Sequence, residues 1–135
     1  MGTWSHEPFG NDSANDWAYD LEESKDFSLV ASALQRTAES EGYLDADEAV
    51  EAVAAAEVLA KALGRGTQSD AYTEKVEAWL ASIAVKPSPE LLQLAQRALE
   101  RVLAPESELR ELWEETEHFA AWHSSISALQ AATAA

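Results

Sequence analysis

One stretch limits this chain's folding options more than any other: the run from Asp45 to Gly64, DADEAVEAVAAAEVLAKALG. Asp45 is a strong helix N-cap, and Asp47 and Glu48 fall in the first turn, where the helix dipole favours negative charge. Gly64 stands where a left-handed C-cap is expected. Between these signals Ala and Val leave few polar positions. A helix apolar on most sides must be buried on most sides, so this segment requires a shell of further helices around it.

The flanking sequence supplies them. Asn11 or Asp12 caps a first helix with Ala14, Trp17, Ala18 and Leu21 at i, i+3, i+4, i+7 spacing. Ser24 or Asp26 begins a second, with Phe27, Val30, Leu34 and Ala38 on one stripe, ending near Gly42. A fourth is expected over about 70–84, facing Val76, Trp79, Leu80 and Ile83 inward. Ser88-Pro89-Glu90 is a start signal for a fifth, because proline at the first helical position forfeits no hydrogen bond. Pro105 ends that helix, and Ser107 caps a sixth expected to run to about Leu129. No segment alternates with period two, and no Asn-Gly or Asp-Gly hairpin turn occurs. The expected fold is all-α: a single compact bundle of about six helices, forming one domain over 1–135 with a loop at 1–11 and a frayed tail at 130–135.

The loop is unusual. Free N-termini are generally polar and frayed, yet this one carries Trp4, Phe9 and, at the start of the first helix, Trp17. Burying those rings ties the segment onto the helical body, with Trp4, Phe9, Asn11 and Trp17 as structural anchors.

Charge separates the two parts of the chain. Of 25 acids and nine bases, residues 1–60 hold 14 acids against Lys25 and Arg36, a net of −12, and the remainder only −4. A total of −16 disfavours nucleic-acid backbones and anionic membrane surfaces and favours a basic partner or a cation, while the plainer alternative is charge that serves solubility alone. Cysteine is absent, which excludes disulfides, thiolate metal sites and a cysteine nucleophile, and fits a cytoplasmic location. No apolar run approaches the ~20 residues of a membrane span.

The chain resembles a bacterial family known as domain of unknown function 4259. The resemblance rests on the opening Met1, Gly2, Trp4, Phe9, Asn11, Asp12 and Ala14, the Ala-rich segment 49–64, and the 103–109 stretch followed by Leu112 and Trp113. It implies a shared fold and supplies no activity, cofactor or catalytic residue. Ser5 departs from the glycine usual at that position, a strained substitution only if the site needs positive φ.

Three constellations could carry chemistry. Asp12 and Asp16 are i, i+4 on the opening turns of the first helix, where His6 could fold over them to hold a cation or run acid–base chemistry. In the structural alternative Asn11 or Asp12 caps the helix while His6 and Asp16 are solvated. Glu57 lies mid-helix among apolar residues, as a buried carboxylate would, but its i, i+4 spacing to Lys61 also suits a surface pair. It could instead accept a hydrogen bond from the N-terminal loop, for example from Trp4. Glu115 and His118 have the Glu-x-x-His spacing of di-metal bundles, but no second such pair exists, so no metal and no cofactor are expected. The expected function is that of a small acidic non-enzymatic interaction domain, in its sharper form an inhibitor- or immunity-type protein against a basic partner. The alternatives are a structural or homo-oligomeric assembly protein, and an enzyme with a carboxylate/His site near the N-terminal loop.

Overall fold

A computed structural model describes Thr3 and residues 5–134. Among these residues the chain is helical throughout: α1 (Asp12–Glu22), α2 (Ser28–Ala38), α3 (Ala46–Ala62), α4 (Glu74–Ile83), α5 (Pro89–Leu103), α6 (Glu108–Glu114) and α7 (Phe119–Ala132), with a 3-10 turn at Ala71–Thr73. The seven helices form one bundle around α3, which contacts all six of the others. Every residue from Ala52 to Ala60 is buried. The small alanine side chains let neighbouring helices close in on several sides of α3 at once, so its apolar circumference is covered by protein.

The capping chemistry follows the sequence. Asn11 accepts from the Ala14 amide at 2.8 Å, Asp45 from Asp47 at 2.8 Å, and Ser88 from Leu91 at 3.1 Å. Gly64 adopts φ +76 after α3, and the Arg65 amide turns back to Ala60 O at 2.8 Å. The α2 stripe begins later than the sequence signals suggest. Asp26 accepts from the Ser28 amide at 2.9 Å, so it ends a turn before the helix starts.

The expected sixth helix is two. α6 stops at Glu114 because Thr116 Oγ1 donates to Trp113 O at 2.8 Å and accepts from the His118 amide at 3.1 Å, replacing helical bonds with a side-chain turn. The tail expected to fray from 130 is instead held. α7 continues to Ala132, Thr133 is buried and bonded to Gln96 Nε2 at 2.7 Å, and Arg65 donates to Ala134 O at 3.2 Å.

Two connectors are stitched together across the bundle. Leu44 pairs with the Ser107 segment through the Leu44 N–Glu106 O (2.7 Å) and Glu108 N–Leu44 O (2.9 Å) bonds. The Arg101 guanidinium donates to the carbonyls of Ser40, Gly42, Pro105 and Glu106, satisfying four loop acceptors with one cation. The Glu108 carboxylate then accepts from the Ala46 amide at 2.8 Å, completing the start of α3 from a distant part of the chain.

Candidate functional site

Residues 5–11 fold back on themselves, with Thr3 beside them. Thr3 bridges Asn11, the Ser5 amide donates to Gly10 O at 3.2 Å, and Gly10 donates to Glu7 O at 2.9 Å. Position 10 must be glycine: a Cβ there would lie 2.1 Å from Ser5 Oγ and 2.9 Å from Ser5 O. Phe9 is fully buried, Trp17 nearly so, and Asn15 Nδ2 clamps the turn through Phe9 O (3.0 Å) and Asn11 O (2.7 Å). Trp4 lies outside the described residues.

A buried polar network fastens this loop to the body. Glu57 is 0% exposed, and its carboxylate accepts from Thr67 N (2.8 Å), Thr67 Oγ1 (2.7 Å) and Gln68 N (2.9 Å). Gly66 makes this wrap possible, since a Cβ would come within 2.6 Å of Lys61 Cγ. The Gln68 side chain then accepts the Phe9 amide at 2.8 Å and donates to Asp70 at 3.0 Å. Lys61 Nζ stands 3.9 Å from Glu57, donates to Gln68 O at 2.5 Å and pairs with Glu77 at 2.8 Å. Burial pushes the Glu57 carboxyl above the ordinary carboxylate range, against the pull of the Thr67 and Gln68 donors and of Lys61. The Lys61 and Thr73 hydrogen bonds hold Glu77 below that range.

The four residues singled out from the sequence are not gathered into one site. His6, Asp12 and Asp16 are exposed, whereas Glu57 is enclosed by its own loop. Of the four, only His6 lines the principal cleft, and among the described residues no group of three His, Asp or Glu side chains is placed to hold a metal ion.

That cleft, about 570 Å³, opens between the N-terminal loop and α6. Thr3, Ser5 and His6 form one wall, Leu109, Leu112 and Trp113 the other, and Thr116 and His118 the end. Trp113 is held by stacking on Trp122, with centroids 6.5 Å apart and planes 11° from parallel. Leu112 is 50% exposed. Sequence reasoning missed this site because the α6–α7 break that shapes it carries neither proline nor glycine. The adjacent Leu112-Trp113 pair before a Thr-containing acidic run was the only signal.

All three tyrosines of the chain are exposed: Tyr19 at 59%, Tyr43 at 55% and Tyr72 at 46%. Tyr43 donates to Glu111 Oε1 at 2.5 Å, and that bond, with partial desolvation and the nearby charges of Glu111, Glu108 and Glu115, pushes its phenol up to about 12. Lys75 lies 3.4 Å from the centroid of the Tyr19 ring. Burial raises the Glu51 carboxyl, opposed by its Arg36 partner at 3.3 Å, while Asp47 and Asp20 push the same way as burial.

This arrangement defines an acidic all-α bundle with an ordered N-terminal loop, in which no described helix is long and apolar enough to cross a membrane. The chain matches the family described as "Domain of unknown function (DUF4259)" over residues 2–125 and belongs to that family. No curated protein and no solved structure matches it.

Proposed function

We propose that this protein is a non-enzymatic interaction domain that binds a basic protein partner, in its finer form an inhibitor- or immunity-type protein masking a basic surface. The observation that carries this reading is the exposure of every tyrosine on a surface of net charge −16, with Tyr43 directly bonded to a carboxylate. Tyrosine offers large amphipathic contact area at little entropic cost and is enriched at protein interfaces, while surrounding carboxylates supply steering and specificity. The enzymatic alternative draws no support from the geometry, because Asp12, Asp16 and Glu57 do not meet His6 in the cleft. The cytoplasm is the location we propose, on the compatibility of a cysteine-free chain with a reducing compartment.

The test keeps charge constant. Wild type and a Tyr19→Ala/Tyr43→Ala/Tyr72→Ala variant are immobilised beside an unrelated acidic protein of equal net charge, and lysate is passed over each at low and high salt. The expected result is stoichiometric retention of a basic protein by the wild type alone, lost at high salt. Equal retention on the variant or on the control refutes the reading. Concentration-dependent self-association without a basic partner selects the assembly alternative instead.

A further inference from the structure

Ser5, His6 and Glu7 cross a groove that the helices alone would leave open. On one side of them lies the cleft of about 570 Å³ against α6. On the other is a depression of about 410 Å³, bordered by His6, Glu7 and Pro8 and by Ala121, Ser124 and Ala128 of α7. Beneath them a residual space of about 20 Å³ separates the segment from Val50, Val53, Leu109, Trp113 and Trp122. His6 borders all three spaces, so the segment divides one trough into two and rests loosely on an apolar floor. Its bonds tie it to its own loop and not to that floor. Among the described residues, they are Ser5 N to Gly10 O (3.2 Å), Glu7 N to Ser5 Oγ (3.2 Å) and Gly10 N to Glu7 O (2.9 Å). A bond to a distant part of the chain begins only at Phe9, whose amide donates to Gln68. Exposure follows the same division: His6 is exposed and Ser5 and Glu7 are half-buried, whereas Pro8, Phe9 and Gly10 are buried.

We infer that Ser5, His6 and Glu7 form a strap that peels off about a hinge at Pro8, with Phe9 left in place, and so joins the two depressions into one apolar groove. The occupant of the closed groove is the chain's own strap. Lifting it exchanges three hydrogen bonds for bonds to water, a small net change for each, and takes no partner from any polar group of the helical floor. The cost is therefore a fraction of that of global unfolding, which places the open form among the minor states populated at about 0.1–10%. The inference is independent of the basic-partner reading, since it concerns access to the floor and not what the acidic surface attracts.

Because the chain contains no cysteine, a single introduced thiol reports access without interference. Val53→Cys places it under the strap, whereas Val58→Cys lies on the same helix, fully buried and bordering none of the three spaces. With an aromatic disulfide reagent in excess, Val53→Cys should react at least about a hundredfold faster than Val58→Cys. Its rate should be nearly flat in low urea while that of Val58→Cys rises steeply, since peeling exposes little surface and unfolding exposes much. Adding Gly10→Ala, whose Cβ would stand 2.1 Å from Ser5 Oγ, should force the strap outward and speed the Val53→Cys reaction about tenfold. Hydrogen exchange on the unsubstituted chain gives a second reading: the Gly10 amide, released as Glu7 lifts, should exchange well before the Phe9 amide held by Gln68. Labelling of Val53→Cys that merely follows Val58→Cys overturns the strap. Fast labelling that Gly10→Ala leaves unchanged also overturns it, because the floor would then be open without any lifting. Exchange of Phe9 in step with Gly10 overturns the hinge, because the whole loop would then depart together.

Discussion

Removing the Glu57 carboxylate should uncouple the N-terminal loop from the bundle. In Glu57→Ala the Gln68 amide, which is buried, loses its acceptor, as do both Thr67 donors, and Lys61 loses a neighbouring anion at 3.9 Å. Thr67 is exposed and can turn to water, so the larger share falls on Gln68, on Lys61 and on the space left inside a fully packed helix. Breaking a buried charge network from one side costs about 3–5 kcal/mol. At the entropy of unfolding expected for a domain of this size, that lowers the thermal midpoint by roughly 10–17 °C. Glu57→Gln keeps the shape and one acceptor oxygen and should cost about 1–2 kcal/mol. Chemical denaturation gives the energies. Hydrogen exchange gives the location, because Gln68 also holds the Phe9 amide, which should exchange faster in Glu57→Ala by more than global destabilisation explains. A loss below about 1 kcal/mol in Glu57→Ala, or Phe9 exchange that merely tracks global stability, refutes the relay.

The same residue has a signed pH dependence. Its folded pKa is raised above the ordinary 4.5, so the protonated form is the one the fold favours. Relative to Glu57→Gln, its contribution is fully present below about 4.5 and is lost as pH rises through the raised folded value. The stability gap between wild type and Glu57→Gln should therefore narrow with rising pH; a widening gap contradicts the burial argument. Glu77, held low by Lys61 and Thr73, has the opposite sign, its contribution lost as pH falls.

Two further outcomes follow from local geometry. Glu111→Gln should bring the Tyr43 phenol down from about 12 toward 10.0, read by ultraviolet difference titration, and an unchanged titration would exclude the Glu111 bond as its cause. Gly10→Ala should destabilise by about 1–3 kcal/mol. Adding Ser5→Gly should recover only part of the loss, because the Ser5 carbonyl oxygen still stands 2.9 Å from the new Cβ; full recovery would show that the hydroxyl alone is responsible.

How much of this was legible depends on the range of each signal. Asn11, Asp45, Ser88 and Ser107 accept from amides two or three residues on, so their capping role is written locally and reads directly from the sequence. The Ala-rich run marks α3 as the buried centre for the same reason. In α5 the i, i+3, i+4 spacing of Leu91, Leu94, Ala95, Ala98, Leu99 and Val102 marks one apolar face, yet Leu91 and Leu94 are only partly buried while Leu92 is nearly covered, because neighbouring helices set the rotation of α5. The Thr116 turn that divides α6 from α7 depends on a side chain competing with backbone acceptors, which composition does not reveal. The Glu57 site needed a partner eleven positions away, and Gln68 in turn needed Phe9, 59 positions distant. Tertiary relations of that kind leave no periodic trace.

The Glu108 carboxylate that closes the start of α3 has a consequence for the order in which the chain can be assembled. Ala46 and Glu108 are 62 residues apart, so while the chain is being synthesised the bundle's central helix emerges with its first turn incomplete. α1, α2 and α3 can meet early, but the Arg101 clasp waits for the end of α5 and the Glu106 connector, and the Glu108 cap for the start of α6. A nascent chain arrested before residue 108 would hold α1, α2, α4 and α5 against α3 but lack its α6 and α7 neighbours and the carboxylate at its first turn. Between the synthesis of α3 and of α6 the Ala46 amide therefore lacks the Glu108 carboxylate that accepts from it in the folded bundle.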